Sequence, residues 1–390
     1  MNKKTIWRLA DNYLHHMSNK FLQKQWRSNC HKNSINPDEP AEGEEEYRSF
    51  WTQLDPNVEL YSYRLFSHYM GVTPYIIPEY IGISMIERYL NPRRYRDFYF
   101  DKNVFYQIYG KENVAETIIA RINGSCLLNG DLCPISSLGK NIETITARDL
   151  ALYLGGYGLK SIILKPSVDS SSGFGVMLFK INKDQYVDSG GGNVLDGAFL
   201  DAYGNDFVIQ KVLNQHPYIN QFCSTSINTI RISAYRSVKD EEIIVNGALM
   251  RIGATGSFVD NAHAGGRFVG ININDGSIQK TTLDQYGTKV NIWNGIDFSK
   301  SDFVIPNWGK ILDFAKSIAS RNKQMRLLAL DICLCEDGSP KLVEVNVGGF
   351  SYWLYMYCGQ DIFGGRLQEV IDYCKKSDSM HSVHFKLIDR

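Results

Sequence analysis

Residues 326–349 read RLLALDICLCEDGSPKLVEVNVGG. Two apolar runs flank Asp337-Gly338, a strong short-range signal for a β-hairpin. With a two-residue turn at that point, Glu336 pairs with Ser339 and Asp331 falls directly opposite Glu344. Directly opposed residues share a face, with Cα atoms roughly 4.5–5.5 Å apart. Asn346, two residues beyond Glu344, lies on that face as well. Two carboxylates about 4 Å apart at an effective dielectric near 20 repel by roughly 4 kcal/mol, so a cation is expected between them. Oxygen ligands too few to form a cage point to Mg²⁺ completed by water and phosphate oxygens. The competing reading is a surface hairpin whose acids face solvent or pair with Lys or Arg. Alternation favours the first, because Leu342, Val343, Val345 and Val347 need burial while Glu344 and Asn346 interrupt them. A bulge at Gly338 would shift the register.

A chain of 390 residues exceeds one ordinary core and divides into two or three subdomains. Its formal net charge of zero gives no global electrostatic case for nucleic acid. No run reaches 18 apolar residues, and the first residues lack the apolar segment of a secretory signal, so a cytoplasmic protein is expected. The eight cysteines form no CxxC pair and do not cluster with histidine, which argues for free thiols rather than zinc or disulfides.

Residues 1–32 carry seven Lys/Arg against one acid, with Ile6, Leu9, Tyr13, Leu14, Met17 and Phe21 at helical spacing. Such a helix packs on its own domain with a solvated basic face, or makes peripheral contact with an anionic membrane. Residues 36–46 read as an acidic linker, and 47–95 as an aromatic-rich α/β accessory region with nothing catalytic in view. Beyond residue 96, helices are expected from Asp101 to Tyr109, over 146–155 with Thr146 as cap, over 307–321 with Asn307 as cap, and over 361–376. Strands are expected at 161–165, 175–181, 206–213, 227–236, 241–253 and 267–279. Antiparallel strand pairs punctuated by helices give an α+β fold without a βαβ rhythm.

Lys165 ends one strand, and PSVDSSSGFG follows, whose small residues let backbone N–H groups approach an anion. Neither the P-loop nor the dinucleotide fingerprint is present. Residues 248–270 gather Arg251, Asp260, Asn261, His263 and Arg267 about a Gly-rich segment suited to an anionic substrate. A two-residue turn at Lys239-Asp240 places Arg251 and Arg231 on opposite faces of their strand pair, unless a bulge intervenes. Arg231 is then free for phosphate chemistry, while a flexible 254–267 loop brings His263 or Arg267 to the substrate.

The order Asp101-Lys102, LKPSVDSSSGFGV, FVIQKVLNQHP, NTIRI, then Asp331…Glu344-x-Asn346 resembles the ATP-grasp superfamily. QHP, SINTIRI and the MRIG…VDN…GG run resemble its sugar-transfer-associated branch, linked with surface-polysaccharide synthesis. The resemblance covers roughly residues 96–365. It implies two α+β subdomains gripping ATP, a nucleotide lid about 146–213 and a metal and substrate part about 214–390, preceded by an accessory region 1–95. It also implies that Lys102 and Lys165 hold the phosphates and that Ser171, Ser172, Gly173 and Gly175 form a flap. Gln210, Lys211, Val212 and Leu213 meet adenine, and Gln215 and His216 occupy the stretch where relatives carry an acidic ribose ligand. Asp331, Glu344 and Asn346 take Mg²⁺, Lys165 and Arg231 serve the reacting phosphate, and Arg251, His263 and Arg267 serve the substrate. The implied reaction is amide formation between an acid and an amine, or a sugar-linked substrate, through an acyl phosphate. A phosphotransferase on the same scaffold and a catalytically silent nucleotide- or glycan-binding module are the alternatives.

Overall fold

The computed structural model describes residues 3–168, 173–257, 260, 262–300 and 302–380. Two antiparallel sheets carry the fold. The first comprises β1 (Thr117–Arg121), β2 (Ser161–Pro166), β3 (Met177–Asn182), β4 (Gln185–Asp188) and β5 (Phe207–Lys211), in the spatial order β1-β5-β2-β3-β4. The second is built from β6 (Ile230–Arg236), β7 (Ile243–Ile252), β8 (Arg267–Gly270), β9 (Thr282–Leu283) and β10 (Lys289–Val290). After a small pair, β11 (Ile292–Trp293) and β12 (Ile296–Asp297), it is completed by β13 (Leu327–Leu334) and β14 (Pro340–Asn346). Its order is β10-β9-β8-β7-β6-β13-β14, so the quoted hairpin forms one edge and β13 lies inside it.

Period-two alternation gives each strand two jobs. On the five-stranded sheet, Ile162, Leu164, Phe179 and Ile209 are buried under the helices Ala147–Gly155 and Gly197–Tyr203. Ile163, Lys165, Leu178 and Gln210, one residue out of step, face a cavity between the sheets. On the seven-stranded sheet, Ile230, Ile232, Met250, Leu330 and Ile332 pack with the helix Trp308–Arg321. The opposite face buries Tyr235, Leu249 and Ala329 against Trp26, Trp51, Tyr63, Phe66 and Tyr80 from the N-terminal part of the chain. Fully burying one such side chain contributes roughly 1.5–3 kcal/mol, so the N-terminal part covers a sheet face that would otherwise be wet.

That N-terminal part is helical. After α1 (Lys3–Lys32), α2 (Glu44–Trp51) and α3 (Tyr61–Met70), residues 79–90 form one helical run whose middle, Gly82–Ile86, is wound as a π-helix, and Arg93–Phe100 follows. The strands expected within 47–95 are not there. Its aromatic residues sit at helical spacing, and tertiary burial overrides their strand propensity. Within the acidic segment, Glu44 is buried and takes a bidentate Arg64 at 2.7 and 2.9 Å. Thr146 caps its helix in a full capping box with Asp149. Asn307 precedes its helix in the left-handed region with no side-chain cap bond, and the last helix runs Leu367–Met380 rather than from 361. No helix among the described residues is long and apolar enough to cross a membrane.

The central hairpin reaches the expected pairing by another route. Cys335 N–H donates to Ser339 O at 2.8 Å, so the loop has three residues, with Gly338 at φ 76°. This shifts the pairing by one, as in Ile332 opposite Leu342. A bulge at Val343 then shifts it back, and Asp331 stands opposite Glu344, with Ala329 opposite Asn346.

Candidate active site

A cavity of about 1510 Å³ lies between the sheets. Its apolar end is lined by Ala115, Ile163, Val176, Leu178, Leu213 and Val343, a slot the sequence reading did not assemble. Gln210, Lys211 and Val212 line it too. The Gln210 backbone is paired on both sides within the sheet, and its side chain donates to Thr117 Oγ1 at 2.9 Å. His216 is not on the wall. It caps the short helix Pro217–Asn220, its Nδ1 accepting from Tyr218 N–H at 3.2 Å. Gln215 reaches the wall, yet its amide is used in binding Asn220, Cys223, Ser226 and Asn228.

Two lysines reach the polar centre. Lys102 is buried just after Asp101, in a short 3₁₀ turn tied to the end of β2 by Lys102 N–H to Ser167 O and by Asn103 to Ser167 Oγ, at 3.0 and 2.7 Å. Its Nζ lies 3.4 Å from Glu344 Oε1. Lys165 is half-buried, and its side-chain ammonium forms no hydrogen bond or ion pair with the described residues. Burial first, and then the neighbouring Lys102 charge, pull its ammonium down to about 7, against a smaller opposing pull from Glu344. A buried and poorly compensated cation of this kind suits an anionic ligand. Gly173 lines the same region, and Gly175 stands behind it with its carbonyl bound by Tyr203. Ser171 and Ser172 lie outside the described residues.

On the facing sheet, Asp331 is fully buried. Arg231 Nε and Nη2 donate to its two oxygens at 2.8 and 2.7 Å, Arg251 Nη2 lies 3.3 Å from Oδ2, and Asn346 Nδ2 donates to Oδ2 at 3.3 Å. Burial alone would raise this carboxyl, but Arg231 and then Arg251 hold it below its ordinary value. The charge opposite Glu344 is therefore balanced by guanidinium groups of the chain itself. Both arginines converge because of a second register shift, between Ser233 and Tyr235, which sets Arg231 opposite Leu249 and brings Arg251 level with Thr229. The opposite-face placement expected for a regular hairpin is thereby overturned. Arg251 also donates to Thr229 Oγ1 at 2.9 Å and lies 3.2 Å from Asp260, which accepts from Thr229 N–H at 2.9 Å.

The oxygen donors Glu344 and Asn346 line the cavity and suit Mg²⁺ completed by water and phosphate. Asp331 is different, since both its oxygens are already occupied by N–H donors. Among the described residues no three His, Cys, Asp or Glu side chains cluster as a metal site, so the Asn346 carboxamide and ligand oxygens would have to share the ion.

The far end of the cavity is walled by Phe268, Trp353, Ser351 and His263, with Arg93 and Asp97 at its mouth. His263 Nδ1 shares a hydrogen bond with Gln285 Oε1 at 2.5 Å, and its ring lies 6.0 Å from that of Trp353. Arg267 does not belong here. It is buried in β8, with Nε donating to Thr282 Oγ1 at 3.1 Å, Nη2 to Thr288 O, and its guanidinium 5.6 Å from the Trp293 ring. Arg93, Asp97 and Phe100 follow i, i+4, i+7 spacing on a single helix, a signal present in the sequence but indistinguishable there from an ordinary surface.

Residues 84–370 match the family model described as sugar-transfer associated ATP-grasp. No curated protein matches the chain. Among solved structures, D-alanyl-alanine synthetase A from Vibrio cholerae is 13% identical with TM-score 0.39, covering 72% of this chain and 64% of its own. N5-carboxyaminoimidazole ribonucleotide synthetase from Thermotoga maritima is 9% identical with TM-score 0.36, covering 69% and 49%. The ATP-grasp ligase PsnB, complexed with a precursor peptide and AMPPNP, is 12% identical with TM-score 0.38, covering 73% and 62%. The chain thus matches from about half to under two-thirds of the length of these three structures.

Proposed function

From the premise that this chain belongs to the sugar-transfer-associated ATP-grasp family, we propose that it is an ATP- and Mg²⁺-dependent ligase joining a carboxylate to an amine. The observation that carries this reading is the partly buried Lys165, unpaired among the described residues, beside Lys102 and facing Glu344 across the cavity. The apolar slot about Ile163, Leu178 and Val343 takes the adenine, with the backbone of 210–213 along its edge. Lys165 and Lys102 meet the phosphates. Glu344 and Asn346 would hold Mg²⁺, which neutralises phosphate charge when bound. Asp331 stands behind them and fixes Arg231 and Arg251 as a rigid cationic floor.

In the first step a substrate carboxylate oxygen attacks the γ-phosphorus, the bond to the β-phosphate oxygen breaks, and ADP leaves. The chain contributes position and charge rather than a nucleophile. In the second, an amine nitrogen attacks the acyl carbon, gives up a proton, and inorganic phosphate departs. The wall of Phe268, Trp353, Ser351 and His263 is where the acid and amine are placed. A sugar-derived or amino-acid-derived pair in surface-polysaccharide synthesis is the substrate class proposed, in the cytoplasm. All eight cysteines are free, which suits a reducing compartment. Tyr13, Met17 and Phe21 recur every four residues on the exposed side of α1, beside exposed Lys20 and Lys24. The proposal therefore includes peripheral contact with an anionic membrane, tested by flotation with phosphatidylserine vesicles.

The decisive experiment incubates the protein with Mg-ATP and pairwise mixtures of amino acids, amino sugars and nucleotide sugars, reading ADP release and product mass. An amide formed with stoichiometric ADP and phosphate supports the reading. A stable phosphorylated product, or no ADP from any pair, overturns it.

A further inference from the structure

The substrate wall hangs on a segment that the nucleotide chemistry does not use. After Asn346 the chain runs through Gly348, Gly349, Phe350 and Ser351 into the short helix Tyr352–Tyr357, and Gly348, Gly349, Ser351 and Trp353 line the cavity. Ser351 is held at φ 64°, a left-handed conformation that a serine keeps only where its surroundings enforce it. Two buried glutamate carboxyl groups flank it from behind. Glu87 accepts from Gly349 N–H at 2.7 Å and from Phe350 N–H at 3.0 Å, and Glu79 accepts from Trp353 N–H at 3.1 Å. Asn91 closes the approach by donating to Val347 O at 2.8 Å.

Glu79 and Glu87 lie eight residues apart. In a regular α-helix, at roughly 100° per residue, they would diverge by about 80°. The π-helical stretch Gly82–Ile86 takes up an extra residue, which restores the seven-residue relation that brings side chains to within about 20° of one face. Gly82 sits in that stretch, and the Tyr352 ring comes within 2.5 Å of where its Cβ would be, while Tyr352 Oη donates to Gly82 O at 3.3 Å. The widened turn and the missing side chain thus seat the same loop.

We propose that Glu79 and Glu87 are positioning residues: through the backbone amides of Gly349, Phe350 and Trp353 they hold the 348–353 loop, and Ser351 at its crest, in the shape that receives the second substrate. The N-terminal helices then belong to the site. The substrate half of this statement rests on the ligase reading above, whereas the clamp itself does not.

The test compares Glu87→Ala, Glu87→Gln and a deletion of Ser84 with the wild type in the full chain. Hydrogen exchange over 347–357 and calorimetric binding of Mg-AMPPNP are the readouts. Glu87→Ala should speed exchange in this loop at least tenfold and leave AMPPNP affinity within about twofold. Glu87→Gln, which keeps shape and one acceptor oxygen, should fall between. Deleting Ser84 removes the extra residue and leaves the two glutamates seven apart on one face of a regular α-helix, so loop exchange should stay within about twofold of the wild type. With a reacting pair from the screen, KM for acid or amine should rise in Glu87→Ala and KM for ATP should not. In Glu87→Ala, unchanged loop exchange, exchange rising equally across the whole seven-stranded sheet, or an equal loss of AMPPNP affinity each overturn the proposal. Should the alanine variant not fold, the glutamine variant decides by the same criteria. A wild type that releases no ADP in the screen counts against the ligase reading, and the exchange data still judge the clamp.

Discussion

Arg231 and Asp331 face each other across β6 and β13 and share two parallel hydrogen bonds of 2.8 and 2.7 Å, with Asp331 wholly removed from solvent. Breaking such a pair from one side strands a buried charge and costs about 3–5 kcal/mol. Asp331→Asn and Arg231→Met should each lower stability by that order in urea unfolding. The double variant should lose less than the sum, by a coupling of about 1–3 kcal/mol. Additive losses would show that the two side chains do not act as one unit.

Glu344→Gln keeps the shape of a partly exposed side chain 3.4 Å from Lys102 and removes its charge. ATP turnover should disappear while the melting temperature stays close to that of the wild type. Turnover at the wild-type rate in excess Mg²⁺ would remove Glu344 from the metal assignment.

Lys165 titrates near 7 in the free protein, held down by burial and by Lys102. Phosphate anions favour its charged form, so they raise that value. Binding of Mg-ATP at pH 8 should therefore take up protons, and affinity should fall as pH rises past 7. Calorimetry in buffers of different ionisation enthalpy measures the uptake. Lys165→Gln should abolish it, and a wild type without uptake contradicts the placement of this lysine at the phosphates.

Burial raises the carboxyls of Glu79 to about 8 and of Glu87 to about 7, from 4.5. Glu87 further raises Glu79, Arg96 opposes the rise at Glu87, and both glutamates act on the buried Tyr352, which also senses Cys374. Between 4.5 and 8 the folded chain keeps protons that the unfolded chain releases. These two groups therefore make their full contribution at low pH and lose it as pH rises through 7 to 8. The urea midpoint of the wild type relative to Glu79→Gln/Glu87→Gln should decline from pH 5 to pH 8. A difference that grows with pH would refute the assignment.

Arg267→Ala removes a buried side chain bound to Thr282 and Thr288 and placed against Trp293. It should lower stability by about 1–3 kcal/mol and leave the KM of every co-substrate unchanged. A selective rise in KM for acid or amine would return Arg267 to the substrate wall.

The hairpin, its facing acids and the α+β class were legible because alternation and turn residues are local signals. The Asp331–Glu344 pairing came out right although the loop is one residue longer than expected, since the bulge at Val343 cancels the offset. No such cancellation occurred between β6 and β7, so one bulge was enough to misplace Arg251 relative to Arg231. Arg267 and His216 misled for another reason: a polar residue in a Gly-rich or loop-like stretch says nothing about which side it faces. Glu79 and Glu87 were invisible, because their partners are backbone amides more than 260 residues away.

The bulge at Val343 also bears on how the chain tolerates changes in length. Twelve residues separate Asp331 from Glu344: four pairs, a three-residue loop and one left over. The leftover residue is slack. A deletion of one residue from this stretch can be absorbed by straightening the β14 edge, with the two acids still opposed. An insertion of one residue into the paired strands, outside the 336–338 loop, finds no such reserve and turns Glu344 to the other face of the sheet, away from Lys102. Shortened hairpins should therefore remain functional where lengthened strands do not, an asymmetry that a library of single insertions and deletions across 332–335 and 339–343 would display directly.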